Sequence, residues 1–97
     1  MKYKEVYQKT IDVWGGEANI NQAIQEMAEL TVELTNIPRD RTTKEKIALE
    51  MADVEIMIEL LKVMFKNDKL VKLMKSNQID KLKKQMEDEE NEKEINI

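Results

Sequence analysis

Apolar residues recur along this chain at spacings of three and four, and no segment alternates with a period of two. That pattern describes helices that each bury one face, and it offers no candidate strand. Only 2 Gly and 1 Pro interrupt 97 residues, so the breaks between helices are few and easy to place. Tyr3, Val6, Tyr7, Ile11 and Trp14 mark a first amphipathic helix over residues 2–14, stopped by Gly15-Gly16. Asn19 or Asn21 is placed to cap a second helix, which runs to about Asn36, just before Ile37-Pro38. Beyond a loop over residues 38–42, Thr42 and Glu45 form a capping-box pattern that opens a long helix from about Thr43 to Lys66. Asn67-Asp68 is the next break, and a weaker one at Ser76-Asn77 separates Leu70, Val71, Leu73 and Met74 from Ile79, Leu82 and Met86. The expectation is an all-α fold, an antiparallel bundle of four to five helices, in one domain over residues 1–88. Residues 89–97 are almost wholly charged or polar and are expected to form a frayed tail.

Composition narrows the chemistry. With no Cys and no His, disulfides, thiolate zinc sites and every Ser-His or Cys-His mechanism are excluded. What remains is carboxylates, lysines, hydroxyls or a hard metal ion. The opening residues MKYKEVYQKT are too polar for a signal peptide, and no apolar run approaches a membrane span, so a cytoplasmic protein is expected. A net charge of −4 argues against a nucleic-acid binder. So short a chain, with only 4% aromatic residues, gains from burying apolar faces between copies, and a homodimer or homotetramer is expected.

The informative acids are the ones that fall on apolar faces. In the third helix Glu55, Glu59, Lys62 and Lys66 mark the water-facing side. Ile47, Val54, Met57, Ile58, Leu61, Met64 and Phe65 mark the other, and Glu50 and Asp53 project from its middle. In the second helix Ile20, Ala23, Ile24, Met27, Leu30 and Leu34 form an apolar arc, with Gln22, Glu26, Glu29 and Glu33 as a polar stripe beside it. No Lys or Arg occurs between Lys9 and Arg39, so these acids have no local basic partner. An ionised carboxylate withdrawn from water needs a compensating charge. If the two helices pack antiparallel, Glu26, Glu29, Glu50 and Asp53 converge, and four oxygen donors suit Mg²⁺, or Mn²⁺. The competing reading neutralises them with a lysine such as Lys69, Lys72, Lys75, Lys81 or Lys84.

The run Gln22-Ala-Ile-Gln-Glu26-Met-Ala-Glu29-Leu30, followed about twenty residues later by Glu50-Met-Ala-Asp53-Val54, resembles the MazG-type all-α nucleotide pyrophosphohydrolases. The likeness spans residues 20–65, and the chain's length resembles the compact phage and bacterial members. It implies a MazG-like bundle and the Mg²⁺-dependent hydrolysis of (deoxy)nucleoside triphosphates to monophosphate and pyrophosphate, in housecleaning or nucleotide-pool control. It further implies that Glu26, Glu29, Glu50 and Asp53 hold the metal, with Glu29 as the general base on a water molecule. Lys81 and Lys84 resemble a basic pattern that holds phosphates in that family, although Lys stands where Arg is expected. Arg39, Arg41, Lys44 and Lys46 are alternative phosphate contacts. Gln22 matches a polar position that could read the base or support a ligand, and Trp14 is either a stacking platform for the base or part of the core or an interface. The alternative function is a non-catalytic adaptor that keeps the bundle and uses it to assemble with a partner.

Overall fold

A computed structural model describes residues 2–95. Four helices follow one another, α1 (Tyr3–Trp14), α2 (Gly16–Thr35), α3 (Lys44–Phe65) and α4 (Asp68–Ile95), and the described residues contain no strand. The chain divides between Lys66 and Asn67 into two units, the first holding α1 to α3 and the second α4. No helix among the described residues is long and apolar enough to cross a membrane.

The turn between α1 and α2 is a single residue. Gly15 has φ 84° and ψ 167°, a left-handed backbone that a glycine adopts without strain. Its amide donates to the Ile11 carbonyl at 2.8 Å, closing α1, while its carbonyl accepts from the Asn19 amide at 3.3 Å and opens α2. Asn19 and Asn21 are therefore not caps. Asn19 sits one turn inside α2, buried, and its Nδ2 donates to the carbonyls of Thr10 at 3.1 Å and Gly15 at 2.7 Å. It pins the end of α1 to the start of α2. Gly16 already belongs to α2, so the glycine pair makes a sharp corner and not a loop.

Helix α3 starts one residue later than the capping-box pattern suggests. Thr43 is the N-cap, and its hydroxyl accepts from the Lys46 amide at 3.2 Å. The Thr42 hydroxyl is buried without a partner. Lys66, at φ 52° and ψ 42°, ends the helix in the left-handed region.

Helices α2 and α3 run antiparallel. A Cβ on Gly16 would lie 3.7 Å from Met64 Sδ, Ala23 packs with Met57 and Leu60, and Glu26 lies by Glu29 and Glu50. Along α2 the partner numbers fall as its own rise. The buried centre is small: Ala23 at 2% exposure, Met57 at 7% and Leu60 at 3%, with Tyr7, Ile11, Leu61 and Met64 packed around it.

The packed stripes differ from those the hydrophobic pattern suggests. On α3 the stripe runs through Glu50, Asp53, Met57, Leu60, Leu61 and Met64, and Ile58 and Phe65 are exposed. Leu60, absent from the expected apolar side, is its most buried member. On α2 Asn19 and Ala23 are buried, and Glu26, Leu30 and Glu33 follow along the same side; Ile20, Ile24, Met27 and Leu34 are exposed. The acids thus lie on the face that packs, with the apolar arc beside it in the open.

Helix α4 runs without interruption through Ser76-Asn77 and the charged segment as far as Ile95, so the described residues contain four helices and residues 89–95 are helical rather than frayed. Residues 96 and 97 of the expected tail lie outside the described residues. Ser and Asn each cost only about half a kcal/mol in a helix. Lys83–Glu87, Lys84–Asp88 and Glu89–Lys93 are spaced i,i+4 with opposite charge, which supports helix over the charged stretch.

Candidate metal centre

The stripe shared by α2 and α3 carries acids where a core would carry leucines. One carboxylate oxygen from each of Glu26, Glu29 and Glu50 lies within 4.8 Å of the other two. Asp53 stands beside this triad, close enough for its charge to act on both Glu26 and Glu50, and Glu33 acts on Glu50 from the next turn of α2. Among the described residues of the first unit, no lysine or arginine pairs with any of these acids.

Two glutamines hold part of the cluster. Gln22 Nε2 donates to Glu26 Oε1 at 2.6 Å, and Gln25 Nε2 donates to Glu29 Oε1 at 3.2 Å. Both are one helical turn before the acid they serve, an i,i+4 relation legible in the sequence, where only Gln22 stands out. The remaining oxygens are the informative ones. Glu26 Oε2 and Glu50 Oε2 are buried and have no hydrogen-bond partner. A buried carboxylate oxygen without a donor carries its full desolvation cost.

That strain shows in proton affinity. Withdrawal from water raises the carboxyl of Glu26 above its ordinary range; Glu29 and Asp53 add repulsion, and the Gln22 hydrogen bond opposes the rise. The Glu50 carboxyl is raised first by withdrawal from water and then by Glu29, Asp53, Glu26 and Glu33. A raised folded-state value means that the folded protein binds protons more tightly than the unfolded chain, so the stabilisation by protonation is full below the ordinary glutamate value and lost as pH rises through the raised values. With chelator present, lowering the pH from neutrality towards the ordinary glutamate value is therefore expected to stabilise the wild-type fold relative to a Glu26→Gln/Glu50→Gln variant. Melting curves of the two proteins across that window check this, and parallel curves would show that the site stores no such repulsion.

The donor set fits a hard divalent cation. It offers carboxylate oxygens only, two of them buried and unpaired, on two helices that fix their separation. Glu26, Glu29 and Glu50 would supply the nearest oxygens, with Asp53 adjacent.

Around this cluster the other sequence candidates are placed unevenly. Trp14, at 67% exposure, is not core; with Ala18 and Gln22 it lines an open surface hollow. Gln22 joins that hollow to the acids through its bond to Glu26. Lys81 and Lys84 lie on α4 in the second unit, exposed and three residues apart on one helical face. Arg39 and Arg41 lie between α2 and α3, and Lys44 and Lys46 in the first turn of α3, all exposed.

No protein-family model matches this sequence, and neither the curated proteins nor the solved structures give a match.

Proposed function

We propose that this chain is a Mg²⁺-dependent pyrophosphohydrolase of (deoxy)nucleoside triphosphates with a MazG-like active site. The observation that carries the reading is the convergence of Glu26, Glu29 and Glu50 on one spot, with two buried oxygens unpaired and no cation of the first unit to neutralise them. The Glu-x-x-Glu and Glu-x-x-Asp spacing, with its resemblance to the MazG-type enzymes, supports the reading as well. A divalent ion at this cluster would offset the negative charge of the triphosphate.

The residues then divide the remaining work. Glu26, Glu29, Glu50 and Asp53 would hold the ion, which would supply positive charge against the triphosphate. Glu29 serves as general base: its Oε1 is held by Gln25, which leaves Oε2 to take a proton from water. As that proton leaves, the water oxygen bonds to phosphorus, a bridging P–O bond breaks, and monophosphate and pyrophosphate result. Trp14 offers an exposed ring face for the base, beside Gln22.

The apolar arc of Ile20, Ile24, Met27 and Leu34 is exposed, and so small a buried core is unusual for a chain of this length. We assign that arc to contacts between copies, in a homodimer or homotetramer. The same exposed surface favours the second reading, a non-catalytic adaptor that covers it with another protein. Magnesium separates the two. For the enzyme, millimolar Mg²⁺ is expected to raise the melting temperature over that in chelator by several degrees, because binding relieves the repulsion among the acids. An unchanged melting temperature favours the adaptor.

A further inference from the structure

Helix α4 is amphipathic twice. At about 100° per residue, Leu70, Val71, Leu73 and Met74 centre on one direction. Ile79, Leu82 and Met86 centre roughly 130° away from them on the same scale. The second set is exposed at 44%, 53% and 51%. It also belongs to a longer series. Lys72, Lys75, Ile79, Leu82, Met86 and Glu89 follow one another at alternating spacings of three and four, the seam of a two-helix coil.

The charges along α4 decide what can lie on that seam. Six lysines fall between Lys69 and Lys84, and six acids between Glu87 and Glu94. Two such helices side by side in parallel would set Lys72 against Lys72 and Glu89 against Glu89. Antiparallel, the basic half of one meets the acidic half of the other.

We propose that the Ile79–Leu82–Met86 face of α4 is a docking surface for the same helix of a second copy, paired antiparallel. One register satisfies every layer. Ile79 of each helix meets Leu82 of the other, and Met86 packs on the aliphatic stem of Lys75. Lys72 faces Glu89, and Lys69, beside the seam, faces Glu90. The apolar layers lie at the centre and the ion pairs at both ends, where they choose the orientation. This interface uses neither the acidic cluster nor the apolar arc of α2, so it stands apart from the proposed activity.

The test is the solution mass of the full chain by light scattering, in four forms. Wild type is expected to associate. Lys69→Glu/Lys72→Glu alone, or Glu89→Lys/Glu90→Lys alone, is expected to halve the mass at the same concentration, because each sets like charges opposite one another. All four substitutions in one chain restore opposite charges in the antiparallel register only, and are expected to restore the mass. All the altered side chains are exposed, and far-UV circular dichroism checks that each form keeps its helix content. A monomeric wild type overturns the proposal, as does a mass that neither reversal changes. Loss in the reversals without rescue in the fourfold variant excludes the antiparallel register.

Discussion

Glu50→Gln combined with Asp53→Asn is expected to cut pyrophosphate release by at least about a hundredfold, the smaller effect of removing one preorganised electrostatic group. In chelator the same variant should melt at a higher temperature than wild type. The two effects share one cause. One carboxylate oxygen of Glu50 lies within 4.8 Å of oxygens of Glu26 and Glu29, its Oε2 is buried without a hydrogen-bond partner, and Asp53 adds charge to both Glu26 and Glu50. Replacing both acids by amides keeps their shape and removes two negative charges from the cluster. The metal-free fold loses repulsion and gains stability; the site loses ligands and, with them, turnover. The melting-temperature rise on adding Mg²⁺ should shrink in parallel. An ordinary structural pair of acids would behave differently, since deleting it would leave activity intact. A variant that keeps wild-type turnover would remove these residues from the site.

Leu60→Ala is expected to have the largest effect on stability. Leu60 is 3% exposed and packs with Ala23 and Met57, the three buried apolar side chains among the described residues. Truncating a buried leucine costs about 2–5 kcal/mol, most where neighbours cannot collapse into the space. Helices held by carboxylates on the same stripe have little apolar material to move in. Against a total of about 5–15 kcal/mol for a folded domain, that is a large share. It corresponds to a fall of roughly 10–30 °C in melting temperature for a chain of this size. Ile24→Ala is the control. Ile24 is 58% exposed, so in a dilute monomer the change should stay within about 0.5 kcal/mol. If a second copy covers Ile24, its cost will appear in association instead. Thermal melts of both variants at low concentration, with light scattering of the second, check the pair.

The contrast between Leu60 and Ile24 also shows what could be read from the residues. The ends of α1 and α3 fall within a residue or two of the expected bounds, because Gly15, Pro38, Thr43 and Asn67 punctuate the chain strongly. The meeting of acids from α2 and α3 follows from their three-residue spacing and antiparallel packing. The direction in which α3 buries itself was harder to see. Its Leu49, Met51, Ile56 and Ile58 are all exposed, so apolar residues lie nearly all round and hydrophobicity alone does not select a face. The neighbours select it, and they choose the side that carries Glu50, Asp53 and Leu60. On α2 the same choice leaves Ile24 and Met27 outside and draws Glu26 in. Asn19 was legible as a cap by type, but its side chain reaches backwards across the Gly15 corner, a tertiary role that local propensity does not encode.

The most direct measurement is pyrophosphate release from a panel of canonical deoxynucleoside and nucleoside triphosphates, with Mg²⁺ and with chelator. The predicted result is pyrophosphate and monophosphate in equal amounts from at least one nucleotide, abolished by chelator and by Glu50→Gln/Asp53→Asn. The ranking of nucleotides would then name the base that sits by Trp14. No turnover of any nucleotide by a folded protein whose melting temperature responds to Mg²⁺ would contradict the enzymatic reading, and would leave the carboxylate cluster as a metal site without this chemistry.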